Sequence, residues 1–228
     1  MPMKRSLLLP YFVLLIFATI QLALVSRMVA FLHIQKTQVK TYQALGSDSP
    51  LGFKIHVLPE KLSLNQGHTT NGAAGYGLVL SIALLAFTFS FRDDRDHTKK
   101  LLTMTILLAL LSFFILSAFI YVFAVTYLTS NNRINTIYAQ SIDGAPYPID
   151  SWTPETWYKA LLLLPLTNVD LTGAYQEMAV WRWWIIPYLI VSMLAFGWTA
   201  IVWLNERSFK QPKSNLAVSM YTCVISLS

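Results

Sequence analysis

The chain has 228 residues, 55% of them hydrophobic and only 12% charged. A soluble domain carries about 25% charged residues, so an ordinary water-soluble globule is excluded, and the bunched apolar runs point to one membrane domain. The formal net charge of +6 is explained by Lys and Arg in cytosolic loops, and the absence of a basic stripe with interleaved aromatics excludes a nucleic-acid partner. With Cys223 as the one cysteine, an intrachain disulfide, a CxxC redox pair and a Cys-based zinc site are excluded as well.

Lys4 and Arg5 precede the first apolar run, Leu7 to Ser26. Signal-peptide cores run roughly 7–15 residues; this run is longer, and Leu24-Val25-Ser26-Arg27 is a poor cleavage site. We therefore expect a retained first span over 7–26, with Pro10 in its first turn, where a missing N–H does little harm. A polar connection over 27–72 follows. It contains Gly46-Ser-Asp-Ser-Pro50, then an alternating stretch from Gly52 to Leu58 that predicts a short strand before Pro59. Asn65 to Gly72 reads as loop.

The second span is 73–91. Within it Ala73, Gly77 and Ser81 recur at intervals of four and line one face, where small side chains let another helix approach closely. We expect that neighbour to lie within the chain, in the next span, with a second subunit as the alternative. The charged turn from Arg92 to Lys100 is short, so the third span, 101–128, must return antiparallel. It is longer than a perpendicular crossing requires and is expected to tilt or to project beyond the lipid.

Residues 129–182 form the longest polar connection. After an irregular part through Asp143, Gly144 and Pro148, a short helix is expected: Thr153 as N-cap, Pro154 at the first helical position and Glu155 in the first turn. Trp157, Ala160, Leu161 and Leu164 share one face, and Glu155 pairs with Lys159. Pro165 ends the helix. We read it as lying at the outer membrane surface, with its apolar face toward lipid; the alternative is a helix packed on the extramembrane ends of the spans. The fourth span is 183–204, with a helix that can start near Gly173, and Pro187 and Gly197 are candidate bends. All seven tryptophans fall after residue 151. Trp181, Trp183 and Trp184 mark one end of this span and Trp203 the other, as an interfacial belt requires.

The expected fold is thus an all-α membrane protein: a four-transmembrane-helix bundle with two extracytosolic loops and a short interfacial helix. Residues 1–210 form a single four-span domain, and 211–228 form a C-terminal tail. Nine of the 17 basic residues fall in the three short segments that share a side with the termini. The other eight are spread over two long loops. Density near the membrane sets orientation, so both termini are expected in the cytosol, in the plasma membrane or an endomembrane. Leu216 to Ser228 is apolar for a cytosolic tail and reads as a membrane-surface segment or as foreign to the native protein.

No HExxH, GxSxG or Walker A motif occurs, so no catalytic, cofactor-binding or metal-binding residue is assigned. The spans hold no Asp, Glu, Lys, Arg or His, which argues against an ion pathway. Gln21 is expected to bond across to a neighbouring helix, and Ser and Thr to their own helix carbonyls. His33, His56 and His68 share the outer side and could be assembled by folding, but read as solvated loop residues. Claudin-like tetraspans offer a comparison that fails, because the loops lack paired cysteines and the Trp-x-Gly-Leu-Trp pattern. The segment Trp152 to Leu166, together with Trp181-Arg-Trp-Trp184, resembles a group of uncharacterised four-span integral membrane proteins of filamentous fungi; the resemblance implies a tetraspan fold and no activity. The function expected is a non-enzymatic structural or interaction role through the outer loops, with lipid and other membrane proteins or a second copy as partners. Rival readings are a small transporter or pore subunit, and a lipid-modifying enzyme drawing on Asp143, Asp150, Glu155, Asp170 and Glu177.

Overall fold

A computed structural model of the chain describes residues 2–45, 52–90, 97–167 and 169–210. In chain order the elements are α1 (Pro2–Ile34), continued by a wider π-type turn over Gln35–Val39, then β1 (Thr41–Ala44), β2 (Phe53–His56), α2 (Asn65–Ser90), α3 (His97–Thr129), α4 (Thr136–Ile142), α5 (Pro154–Leu161) and α6 (Thr172–Lys210). Much of the charged Arg92–Lys100 turn, the Gly46–Pro50 segment and the 211–228 tail with Cys223 lie outside the described residues.

Four helices, α1, α2, α3 and α6, are long and apolar enough to cross a bilayer, and the protein is an integral membrane protein built as a four-helix bundle. Around the bundle α1 neighbours α2 and α6, and α3 neighbours the same two. The outward surface carries Leu9, Phe12, Phe87, Phe113 and Ile190, all exposed. That surface would drive aggregation in water but is satisfied by lipid chains. Inside, Leu14, Leu80, Leu108, Leu111, Ile115 and Ile185 are buried against one another. Several buried hydroxyls return to their own helices as expected: Ser81 donates to the Gly77 carbonyl, Thr88 to Leu84, Thr105 to Leu101 and Thr199 to Ala195, whereas Ser112 Oγ is buried without a partner. A hydroxyl that donates to its own helix in this way asks nothing of the lipid.

At 1.5 Å per residue, the 39 residues of α6 extend roughly 58 Å, about twice a hydrocarbon core. The helices therefore overshoot the bilayer, and on the side opposite the termini their ends carry a cap made from both long connections. The cap core joins Val25, Met28 and Leu32 of α1, Val122 of α3 and Met178 and Trp181 of α6 to the sheet and α5. An isolated two-stranded hairpin is marginal in water. Here β1 and β2 pair antiparallel, Tyr42 opposite Ile55, and the second connection protects their edges. Leu45 N donates to Pro165 O and Thr167 N to Gln43 O, while Trp152 exchanges backbone bonds with the Lys61–Ser63 segment after β2. The strand expected before Pro59 is β2; β1 carried no comparable signal. Gly52 sits at φ +67° beside the hairpin, and a Cβ there would meet the Ala44 carbonyl oxygen at 2.4 Å, so only glycine fits.

Three expectations are corrected. Asn65 to Gly72 is helix, the opening turns of α2. Gly67 comes close to α1, where a Cβ would lie 3.3 Å from Met28 Cε, and the Thr70 hydroxyl donates to Gln66 O; packing overrides the weak local propensity. The helix begun at Pro154 ends at Leu161, before Pro165, and finishes in a turn through Leu164. Glu155 does not pair with Lys159. It turns instead toward α6, accepting two hydrogen bonds from Arg182, at 2.7 Å from Nε and 2.8 Å from Nη2. A planar guanidinium in a half-dry site outcompetes a solvated lysine for a carboxylate.

The capping of α5 is as expected and more complete. Thr153 Oγ1 accepts from Thr156 N, and Thr156 Oγ1 accepts from Thr153 N, a reciprocal box with threonine in the place usually held by Glu. Thr156 Oγ1 also donates to Thr129 Oγ1, tying the cap to the end of α3.

Candidate functional site

The small-residue face of α2 is buried at Ala73, Gly77 and Ser81. At Gly77 its nearest partners are not on α3. Ala18 of α1 and Tyr188 of α6 fill the space beside Gly77, and Tyr188 Oη donates to the Ala73 carbonyl at 3.1 Å. The close contact is thus within the chain but made to the first and fourth spans. Along the α1–α6 seam a second set of polar contacts runs through the apolar interior. Tyr11 Oη and Thr199 Oγ1 lie 2.9 Å apart, Trp184 Nε1 donates to Phe17 O, Gln21 Nε2 donates to Trp181 O at 3.2 Å, and Arg27 pairs with Glu177 nearer the cap. Gln21 bonds across helices as expected. These contacts tie α1 to α6.

The tryptophans divide. Trp183 is exposed on the outer surface of α6, where a belt residue belongs. Trp184 stacks on Phe17 at 5.2 Å, and Trp203 lies under the Arg207 guanidinium. Trp181 is buried between cap and bundle. Trp157 and Leu161 are fully enclosed by protein, with Leu164 packed on the same core; Trp157 Nε1 donates to the Val57 carbonyl at 2.8 Å. Since Glu155 is bonded to Arg182, beside Trp183, the start of α5 lies level with the belt, at interfacial depth. Its apolar face nevertheless meets the hairpin, not lipid, because the sheet offers both apolar area and an acceptor for the indole N–H. Burial also raises the Tyr42 phenol above its usual range and the Tyr158 phenol well above it.

The carboxylates that an enzyme reading would gather each engage a different partner where they are bonded, and only Asp170 and Glu177 line a common depression among those described. Asp143 accepts from Lys54 N, Glu155 from Arg182, Glu177 from Arg27, and Asp170 from Thr172 N at 2.8 Å. The Thr172 side chain, together with that backbone N–H at the start of α6, holds the Asp170 carboxyl below its usual range; Asp150 is exposed.

Three of the four histidines, by contrast, converge. A cavity of about 680 Å³ opens between the projecting ends of α1 and α2 and the loop after β2. It takes His33 from the last turn of α1, Lys36 from the π-type turn, His56 from the end of β2, Glu60 from the loop, and His68 and Asn71 from the first turns of α2. Its apolar wall is Met28, Leu32, Leu58, Pro59, Leu62 and Leu64. The Nδ1 of His56 is held by the Leu58 backbone, 2.7 Å from the carbonyl oxygen, which leaves Nε2 as the ring nitrogen available to a ligand. Among the described residues no three His, Cys, Asp or Glu are grouped closely enough to hold a metal ion. The arrangement suits recognition of a small polar group backed by apolar surface, the usual character of a binding pocket. The one sequence signal for it was the shared side of His33, His56 and His68; Lys36, Glu60 and the apolar wall had none. Comparison of the chain with protein-family models, with curated proteins and with solved structures finds no match.

Proposed function

We propose that this protein is a non-enzymatic tetraspan membrane protein whose cap binds a partner on the extracytosolic side, with both termini in the cytosol. What carries the reading is a contrast within the molecule. The bundle interior is filled with apolar side chains, while a cavity of about 680 Å³ lies in the cap, where side chains from α1, α2 and the loop after β2 meet. A transporter inverts that contrast, with polar or ionisable groups between its spans. Dispersal of the carboxylates into separate structural contacts also favours binding over hydrolysis. The four-span architecture is compatible with membership in the fungal group that Trp152 to Leu166 resembles.

The test is reconstitution of the full chain into liposomes, combined with a photo-crosslinking residue at Leu64 on the cavity wall or at Phe113 on the lipid-facing surface of α3. Ion and proton flux at the level of empty liposomes, intact phospholipid, and adducts at Leu64 distinct from the bulk-lipid pattern at Phe113 are expected. Flux above background, or lipid hydrolysis, sinks the reading.

A further inference from the structure

Resting on that reading, we infer that the cap cavity binds the headgroup of a phospholipid from the adjacent leaflet, with the phosphate at Lys36 and the imidazoles and an acyl chain running down α1.

The position of the cavity comes first. Arg27 is the first charged residue of α1 after Arg5, so Met28 to Lys36 begin where the hydrocarbon ends. His68 plays the same part for α2, just ahead of the uncharged run from Gly72. The cavity therefore opens at headgroup depth rather than in bulk water.

Continuity is the second observation. A shallower depression of about 400 Å³ shares Val29, His33 and Asn71 with the cavity and continues over Ser26 and Ala30. Val29 and Ala30 are exposed. Together the two form one trough, with Lys36, His56 and Glu60 at its cap end and the small or apolar side chains of Ser26, Val29 and Ala30 where α1 enters the membrane. A soluble ligand would not need the lower half; a lipid does.

The lining chemistry then selects the headgroup. Lys36 supplies a full positive charge and strong donors, and imidazole N–H groups supply more, a set suited to phosphate oxygens. Glu60 is the single carboxylate in the lining. It disfavours additional negative charge and accepts from a headgroup that carries its own donors, so phosphatidylethanolamine fits better than a multiply anionic lipid. The apolar wall accounts for the glycerol and first methylenes, at about 0.8 kcal/mol per buried CH₂.

Delipidated full-length protein in detergent, titrated and read by native mass spectrometry, tests this with three probes. These are dioleoylphosphatidylethanolamine, dioleoylglycerol (chains without phosphate) and inorganic phosphate (phosphate without chains). The phospholipid should give one retained adduct that neither of the other two displaces. His33 and Lys36 have exposed side chains, so His33→Gln with Lys36→Gln should leave the melting temperature unchanged while weakening retention roughly tenfold or more, the scale of a lost charge-assisted contact. Lys159→Gln, outside the cavity, should bind as the parent does. Equal retention of dioleoylglycerol, an unaffected double variant, or displacement by phosphate alone overturns the inference. A protein that retains no phospholipid yet shows no flux and no hydrolysis refutes only the ligand class; flux refutes the binding reading beneath it.

Discussion

Tyr188 of α6 reaches across the bundle to α2 and occupies the volume that a side chain at Gly77 would need: a Cβ there would lie 1.8 Å from its Oη and 3.1 Å from its Cζ. The hydroxyl is held in place by donation to the Ala73 carbonyl. Glycine at 77 is therefore a packing requirement of the fourth span, not a flexibility device.

Gly77→Ala should lower stability by about 1–3 kcal/mol through overpacking. Tyr188→Phe alone removes one membrane hydrogen bond, a loss of about 0.6 kcal/mol. Because most of the clash is with the hydroxyl, the double variant should be more stable than the sum of the two single losses implies. Thermal denaturation of all four proteins in one detergent measures the coupling. Strict additivity would show that Gly77 and Tyr188 do not share that space.

Arg182 and Glu155 join the cap to α6 with side chains only 15% and 8% exposed, and the guanidinium also lies over Phe123 and Trp183 at 5.1 and 4.9 Å. Removing one partner leaves the other charge mostly buried, so Glu155→Ala should cost about 3 kcal/mol. Glu155→Ala combined with Arg182→Met should recover much of it, since the buried charge goes too. Lys159→Ala should change nothing measurable. A loss at Lys159 similar to that at Glu155 would restore the pairing expected along the helix.

Trp157 is sealed inside the cap, whereas Trp183 stands on the lipid-facing side of α6. In variants retaining a single tryptophan, brominated lipid should quench Trp183 strongly and leave Trp157 unaffected. Strong quenching of Trp157 in a folded protein would return α5 to the membrane surface.

Orientation is open to direct labelling. In a Cys223→Ser background on intact cells, His68→Cys should react with an impermeant thiol reagent and His97→Cys should react only after permeabilisation. The reverse pattern would place the cap, and its cavity, in the cytosol.

The four spans were legible because lipid is a one-dimensional filter: any run of roughly 20 uncharged apolar residues satisfies it, whatever its neighbours are. The same locality made Thr153, Pro154 and the short helix readable, since a cap is a contact between residues three apart. Local pattern failed where the deciding partner was distant. Asn65 to Gly72 carries glycine, asparagine and threonine and looks like loop until Met28 is brought against Gly67. Glu155 had an obvious neighbour in Lys159 and took Arg182 instead, a choice settled by how dry each site is. Trp157 had an apolar face that lipid or protein could satisfy equally, and only the hairpin, with the Val57 carbonyl aimed at the indole, separated the two. The cavity is the extreme case. His33, Lys36, His56, Glu60 and His68 come from a helix end, a turn, a strand end, a loop and a second helix, none with a motif of its own. Composition dictated that this chain lives in a membrane, because burial in lipid depends on each segment alone. The tertiary structure decided what it presents above the membrane, because a site is a coincidence of segments that no single one of them encodes.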